Sequence, residues 1–373
     1  MDVNSFFEKL HTHYNNKLPF VVYSRPINSI ISCWLQRNDK LHITKDFSES
    51  GFVFAPFDLH DNAIVFPEQF CQYDKVHTEE LKIDKRILVN TKAPDLAAKP
   101  THINLVAKGI DSIKKGQLDK VVLSRKVSKD TNIKNPIEIF KRLFNTYKNA
   151  MVYCWYHPKV GLWLGATPEL LFKIEGKQLT SISLAGTQPF NNTDAFKWSS
   201  KEIEEQQIVT NYLVKKIEPF TSLIKISDLE TVRAGNLLHL KSRITSTIKS
   251  ATSLKTIIEA LHPTPAVCGF PKDVAKEFIL KHENYTREYY TGFLGELNLK
   301  QTKTRNTNKR NVENNAYAVV KKQSNFYVNL RCFQVKSEEA IIYVGGGITR
   351  DSIAENEWEE TVNKTKTILD VLD

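Results

Sequence analysis

Cysteine is sparse: five in 373 residues, at positions 33, 71, 154, 268 and 332, odd in number, scattered and without C-x-x-C spacing. That argues against a disulfide framework or a thiolate zinc site, and for a reducing compartment. Long apolar runs are missing as well. The longest nearly apolar stretch, Ala340 to Ile348, is far short of the ~20 residues a membrane helix needs. The N-terminus, MDVNSFFEKL, has no charged start followed by an apolar core, so no secretory signal is expected. Internal repeats, heptads and low-complexity blocks are also absent. The expectation is a soluble, cytosolic protein.

What remains is ordinary globular composition: 41% hydrophobic, 10% aromatic and 25% charged residues, which makes disorder or a fibrous architecture improbable. The length fits one large domain or two smaller ones. Charge is biased, with 52 Lys and Arg against 42 Asp and Glu, a net +10. A nucleic-acid binder would show this, and so would an enzyme for an anionic metabolite. Six basic residues between Gln301 and Lys322 stand against one acid, Glu313, and supply half of that excess. Base stacking on single strands wants aromatics interleaved with the charge, and none occurs there before Tyr317. The stretch over residues 301–315 reads as a solvated loop between two strands.

Periodicity predicts a mixed chain. Phe20–Tyr23, Leu41–Thr44 and Ala63–Phe66 read as strands, and TKAPDLAAKP (91–100) as a connector. Ile103, Val106, Ile110 and Ile113 recur at helical spacing up to Gly116, and Leu118–Val127 reads as a strand. Further helices are expected at Phe140–Tyr147, from an N-cap at Ser199 or Ser200 through Ile217, at Leu254–Leu261, at Lys272–His282 and from Ser352 to Leu372. Strands are expected at Met151–Tyr156, Leu162–Gly165, Leu171–Ile174, Leu179–Leu184, Leu223–Ile226 and Val232–Ile244. Four more follow at Gly292–Leu299, Ala316–Val320, Phe326–Val335 and Ala340–Val344. Several strands in a row without a helix between them do not fit a doubly wound sheet. They fit an α+β protein with large, mostly antiparallel sheets and helices packed outside.

Candidate chemistry is spread along the chain. Glu202 and Glu205 on one helix, and Glu357 and Glu360 on the last, are each three apart and so share a helix face. Two such faces brought together would make an all-oxygen cage suited to Mg²⁺. Taken alone, the pairs read equally as carboxylates favoured at helix N-termini. In LDKVVLSRK, alternation places Lys120 on one strand face with Leu118 and Val122. Burial there would lower the lysine pKa, as a general base requires, whereas an edge-strand lysine would snorkel to water. Glu169 in GATPELLF follows a Gly-containing turn; burial would keep it protonated as a general acid. Gly345-Gly346-Gly347 exposes backbone N–H groups able to cradle an anion, but it is neither a Walker motif nor a G-x-G-x-x-G run. Arg331 in FYVNLRC offers a bidentate fork for a carboxylate; a strand arginine is more often a surface ion-pair partner.

KVVLSRK, GATPELL, SLAGT, LHPTPAVCGFPK, REYYTGFLGE, VNLRC, YVGGGIT and ENEWEETVNK together, in this order, resemble the chorismate-utilising enzymes. The resemblance covers about residues 100–373, leaving residues 1–95 as a divergent N-terminal part of a single chorismate-binding domain. Within the family, LHPTPAVCGFPK and KVVLSR look most like isochorismate synthases of menaquinone or siderophore pathways. The resemblance implies a four-layer α+β fold, two sheets packed face to face with helices outside. It implies Lys120 as the base activating water toward C2 of chorismate, and Glu169 as the acid for the departing C4 hydroxyl. It implies Glu205 and Glu360 as Mg²⁺ ligands, with Glu202 and Glu357 in or next to the coordination sphere. The metal would hold the ring carboxylate, helped by His239 and Lys364. Arg331 and the Gly345 backbone would grip the enolpyruvyl carboxylate, and Gly186 would line the ring pocket. One departure is clear: the family often has a histidine where Gln206 follows Glu205.

Three rival readings remain. A salicylate synthase would use the same lysine and go on to eliminate pyruvate. An amine-adding subunit would need a glutaminase partner; such enzymes typically carry glutamine at position 120 or lysine at 185, where this chain has Lys120 and Ala185. A basic nucleic-acid binder would leave the acidic pairs unexplained. The expected partner is chorismate alone, bound to a monomer without glutaminase, nucleic acid or membrane.

Overall fold

The computed structural model describes residues 1–82, 96–131, 133, 135–189, 197–234, 237–303 and 319–372. The chain opens with helix α1 (Val3–Asn15), then strands β1 (Phe20–Ser24), β2 (Ile30–Gln36), β3 (Ile43–Thr44), β4 (Gly51–Ala55), β5 (Ala63–Pro67) and β6 (Cys71–His77). Helix α2 (Lys99–Lys114), strand β7 (Lys120–Asp130) and helix α3 (Pro136–Thr146) follow. Next come β8 (Met151–His157), β9 (Gly161–Thr167), β10 (Leu170–Glu175), β11 (Gln178–Pro189) and helix α4 (Ser200–Ile217). Strands β12 (Thr221–Ile226), β13 (Glu230–Ala234) and β14 (Leu237–Ile248) precede helix α5 (Leu254–Leu261), β15 (Gly269–Phe270) and helix α6 (Lys272–His282). The chain ends with β16 (Phe293–Lys303), β17 (Val319–Val328), β18 (Cys332–Lys336), β19 (Glu339–Ile348) and helix α7 (Ala354–Leu372).

Two sheets result. The first has nine strands in the order β15-β7-β19-β18-β9-β8-β1-β2-β6. The second has ten: β12-β14-β11-β10-β17-β16-β4-β5-β3, with β13 also on β14. Alternation along the strands explains the layering. Phe20 and Val22 of β1 turn outward to a core shared with Phe6 and Leu10 of α1, Phe140 and Leu143 of α3, and Ile368 and Val371 of α7. Val21 and Tyr23 turn inward, to an aromatic layer with Phe52, Phe54, Trp155, Trp163 and Tyr343 between the sheets. The outer face of the second sheet is covered by Leu213 and Ile217 of α4 and Ile257, Ile258 and Leu261 of α5. This is the expected four-layer α+β architecture, helices outside two antiparallel sheets. Among the described residues, no helix is long and apolar enough to cross a membrane.

Some expectations are corrected. Residues 1–82 hold more structure than their short apolar runs suggested, since α1, β2, β4 and β6 also form there. Their strands enter both sheets. Of the 91–100 connector, Lys99 and Pro100 already belong to α2, as proline tolerates a first helical turn; residues 91–95 lie outside the described residues. The basic stretch also lies outside them from residue 304, while β16 and β17 on either side of it pair antiparallel. The expected strand over 326–335 is two strands in different sheets, interrupted at Asn329–Arg331, where Arg331 has φ +47°. Arg331 is therefore a crossover residue and not a strand residue. Asn329 holds that break: its side chain accepts from Tyr153 Oη (2.7 Å) and donates to the Tyr289 carbonyl (2.9 Å).

A buried ion pair underpins β7. Arg287 donates to both carboxylate oxygens of Glu283, Nη2 at 2.6 Å and Nε at 2.8 Å, and to the carbonyls of Val122 (2.7 Å) and Val267 (2.9 Å). Glu283 in turn accepts from Ser124 N and Oγ, both at 2.8 Å. Removing one charge leaves the other buried and uncompensated, which costs about 3–5 kcal/mol. Glu283→Ala is expected to lose stability on that scale in urea denaturation, and Glu283→Leu combined with Arg287→Met to lose clearly less. Equal losses would remove the pair from this role.

Candidate active site

Two crossovers between the sheets build the floor of the site. The first, Thr167 to Leu170, carries the chain from β9 to β10 through Pro168 and Glu169; the second, Val328 to Cys332, carries it from β17 to β18 through Arg331. They are hydrogen-bonded to one another: Val328 N to Glu169 O (3.0 Å), Thr167 Oγ1 to Val328 O (2.6 Å) and Ala166 N to Arg331 O (3.1 Å). Two residues 162 positions apart thus share one rigid corner.

Glu169 is half-buried, and burial pushes its carboxyl up to about 7, against an opposing pull from Lys120. Lys120 stands at the start of β7, within electrostatic range of Glu169. Lys120 also lies against the glycine run: a Cβ on Gly347 would stand 3.1 Å from Lys120 Cε and 3.6 Å from its Nζ. On the neighbouring glycine the acids of α7 arrive instead. A Cβ on Gly346 would stand 3.1 Å from Glu357 Oε2 and 3.7 Å from Glu360 Oε1. Larger residues on this strand would fill the space both groups use.

Glu357 and Glu360 carry the clearest sign of a cation site. Glu357 Oε2 is buried and has no hydrogen-bond partner among the described residues, while Oε1 accepts from Ser352 Oγ at 2.7 Å. Burial first, and the charge of Glu360 after it, raise the Glu357 carboxyl. An orphaned carboxylate oxygen beside a second carboxylate is a hard-oxygen donor set, which fits Mg²⁺. Lys364 already answers Glu360 at 2.6 Å and donates to the Gly345 carbonyl at 2.8 Å.

The other acidic pair stands at the N-terminus of α4. Glu202 Oε2 accepts from the backbone N–H (2.9 Å) and the hydroxyl of Ser199, so it closes a capping box. Its helix-capping reading is therefore realised. The Glu205 side chain lies outside what the structure describes. Gly186, on a bulge of β11 with φ +69°, lets α4 approach: a Cβ there would meet Glu202 Cβ and O at 3.2 Å. His239 Nδ1 donates to the Gly186 carbonyl (3.3 Å), and burial lowers its pKa, ahead of the push from nearby Arg331. Burial likewise lowers the Arg331 pKa.

Contacts link Glu202, Gly186 and His239 on one side and Lys120, the glycine run, Glu357, Glu360 and Lys364 on the other, while Arg331 lies within electrostatic range of His239 and Lys120 within that of Glu169. One group was missed from sequence. Tyr290, in REYYTG, places its phenol where a Gly345 Cβ would be 3.1 Å away, within the field of Glu169. Gln206 turns away from the acids into the helix–sheet contact, donating to Ser183 Oγ (3.2 Å) and Thr210 Oγ1 (3.0 Å).

The family profile described as "Chorismate binding enzyme" matches residues 60–303, and a second of the same description matches residues 316–370. The chain belongs to the chorismate-binding enzymes. The profile reaches upstream of the eight motifs, into the strands of the N-terminal part. Isochorismate synthase MenF of Escherichia coli (strain K12) is 27% identical over 319 residues, spanning 80% of this chain and 68% of that protein. Isochorismate synthase DhbC of Bacillus subtilis (strain 168) is 28% identical over 287 residues, spanning 71% of this chain and 66% of that one. The chain thus spans about two thirds of these relatives' length. The solved structure of the menaquinone-specific isochorismate synthase MenF from Escherichia coli shares the fold, with a TM-score of 0.74 at 20% identity over 95% of this chain and 89% of that one.

Proposed function

We propose that this enzyme is an isochorismate synthase, isomerising chorismate by adding water at C2 and releasing the C4 hydroxyl. The observation that carries the reading is the Glu169 carboxyl, pushed up to about 7 by burial and within the field of Lys120, the candidate base. Neutral Lys120 takes a proton from water as its oxygen bonds to C2. Each ring double bond moves one position, the C4–O bond breaks, and Glu169 gives its proton to the leaving oxygen. Lys120 ends as ammonium and Glu169 as carboxylate, so the base must lose a proton and the acid regain one before the next turnover. General acid and base contributions are each ~10²–10⁴-fold.

Arg331 and the Gly345 backbone serve the enolpyruvyl carboxylate, and Gly186 and His239 border the ring. Glu357 and Glu360, with Glu205 and Glu202 on the other helix, would hold Mg²⁺, and Lys364 stands beside them. When bound, the ion supplies positive charge for the ring carboxylate. Dialysis against EDTA is expected to abolish turnover and Mg²⁺ to restore it, and Glu360→Gln to weaken metal binding with an unchanged melting temperature. Full activity in chelator-treated protein would contradict this. Arg331→Ala is expected to lose a charge-assisted contact of ~1.5–3 kcal/mol, about ten- to a hundredfold in kcat/KM. An unchanged kcat/KM would take Arg331 out of the site.

Chromatography of the products from chorismate and Mg²⁺ tests the reading. Isochorismate alone supports it; salicylate with pyruvate makes the enzyme a salicylate synthase; a product that appears only with glutamine or ammonia makes it an amine-adding subunit. Menaquinone and catecholate siderophore pathways would both consume isochorismate.

A further inference from the structure

Arg125 lies on β7, on the strand that begins with Lys120, and is only 8% exposed. Its guanidinium carbon stands 4.1 Å from the centroid of the Trp358 ring, and its Nε donates to Thr361 Oγ1 at 2.8 Å. Both partners are on α7 and fully buried, at 1% and 0% exposure. Thr361 Oγ1 passes the contact on, donating to the Trp358 carbonyl at 2.7 Å. Behind the indole packs His102 of α2, with ring centroids 5.9 Å apart and both ring nitrogens buried without hydrogen-bond partners among the described residues.

The spacing on α7 gives this cluster its meaning. Trp358 directly follows Glu357, and Thr361 directly follows Glu360. Successive helical residues are turned by one fixed angle, so holding Trp358 and Thr361 sets the direction of both acids toward Gly346. A buried cation is costly, and packing alone would be met by an apolar side chain. A planar group that stacks on one ring and donates to one hydroxyl fixes rotation and height together.

We propose that Arg125 is a positioning residue that locks α7 onto the Lys120 strand, holding the Glu357–Glu360 pair in metal-binding register with the base. The inference rests on the metal reading above, and its test separates the two. Mn²⁺ binding is measured by electron paramagnetic resonance on full-length protein, alone and equilibrated with chorismate and its product, alongside thermal melts. Losing a residue that orients metal ligands costs roughly 10–100-fold in affinity. Thr361→Val and Arg125→Met are each expected to weaken Mn²⁺ binding by about tenfold or more, while Thr361→Ser, which keeps the hydroxyl, stays within about twofold of the parent. Raising Mg²⁺ is expected to recover turnover in Thr361→Val, which a general loss of packing would not allow. If Arg125→Met does not fold, Thr361→Val carries the test. Folded Thr361→Val that binds Mn²⁺ as tightly as the parent overturns the brace alone. A parent protein that binds no Mn²⁺ in either condition overturns the metal reading, and the brace with it.

Discussion

Lys120→Ala is expected to lower kcat by at least ~10²-fold, the low end of what a general base contributes. The substitution removes the amine whose field reaches Glu169 and opens space against Gly347, but it leaves Arg331, the glycine run and the α7 acids in place. Chorismate and Mg²⁺ binding should therefore persist, and the loss should fall on kcat more than on KM. Steady-state kinetics with a binding titration checks both. A variant within about tenfold of the parent would end the assignment of Lys120 as base.

Glu169→Gln is expected to be similarly inactive and, at the same time, more stable. The amide keeps the shape but has no acidic proton to give. The Glu169 carboxyl is raised from 4.5 to about 7 by burial. A folded-state pKa above the unfolded one means that its contribution to stability is full below pH 4.5 and is lost as pH rises through about 7. Glutamine carries no such loss, so the melting temperature of the variant relative to the parent should climb across that window and then level off. In the parent, the working state holds a single proton on the pair, on Glu169. Its kcat/KM profile is then a bell whose apparent pKa values belong to Lys120 and Glu169 jointly, with one limb near pH 7. A parent profile flat from pH 5 to 9 would contradict this.

The candidate site residues could be named from the sequence because they sit in short motifs with characteristic breakers. The turn before Glu169 was expected at glycine, but Gly165 lies inside β9 and the break comes at Pro168; the N-cap expected at Ser199 or Ser200 is Ser199, boxed by Glu202. The second crossover was not legible. FYVNLRCFQV is apolar enough to read as one strand, and no glycine or proline announces the turn at Arg331; the break is imposed by Asn329 contacts with Tyr153 and Tyr289, far away in sequence. Helix α1 was hidden because it offers only Phe6, Phe7 and Leu10 to the core. Arg125, Glu283 and Arg287 were hidden for another reason: periodicity records whether a position is apolar, not which distant group satisfies a buried charge.

The most direct test of the central claim is turnover of chorismate in water enriched in oxygen-18, followed by mass spectrometry and NMR of the product. Addition of water at C2 by the Lys120–Glu169 pair predicts isochorismate carrying one solvent oxygen on that carbon, with no label gained by Lys120→Ala. Isochorismate formed without solvent oxygen, or labelled equally well by Lys120→Ala, would contradict the mechanism.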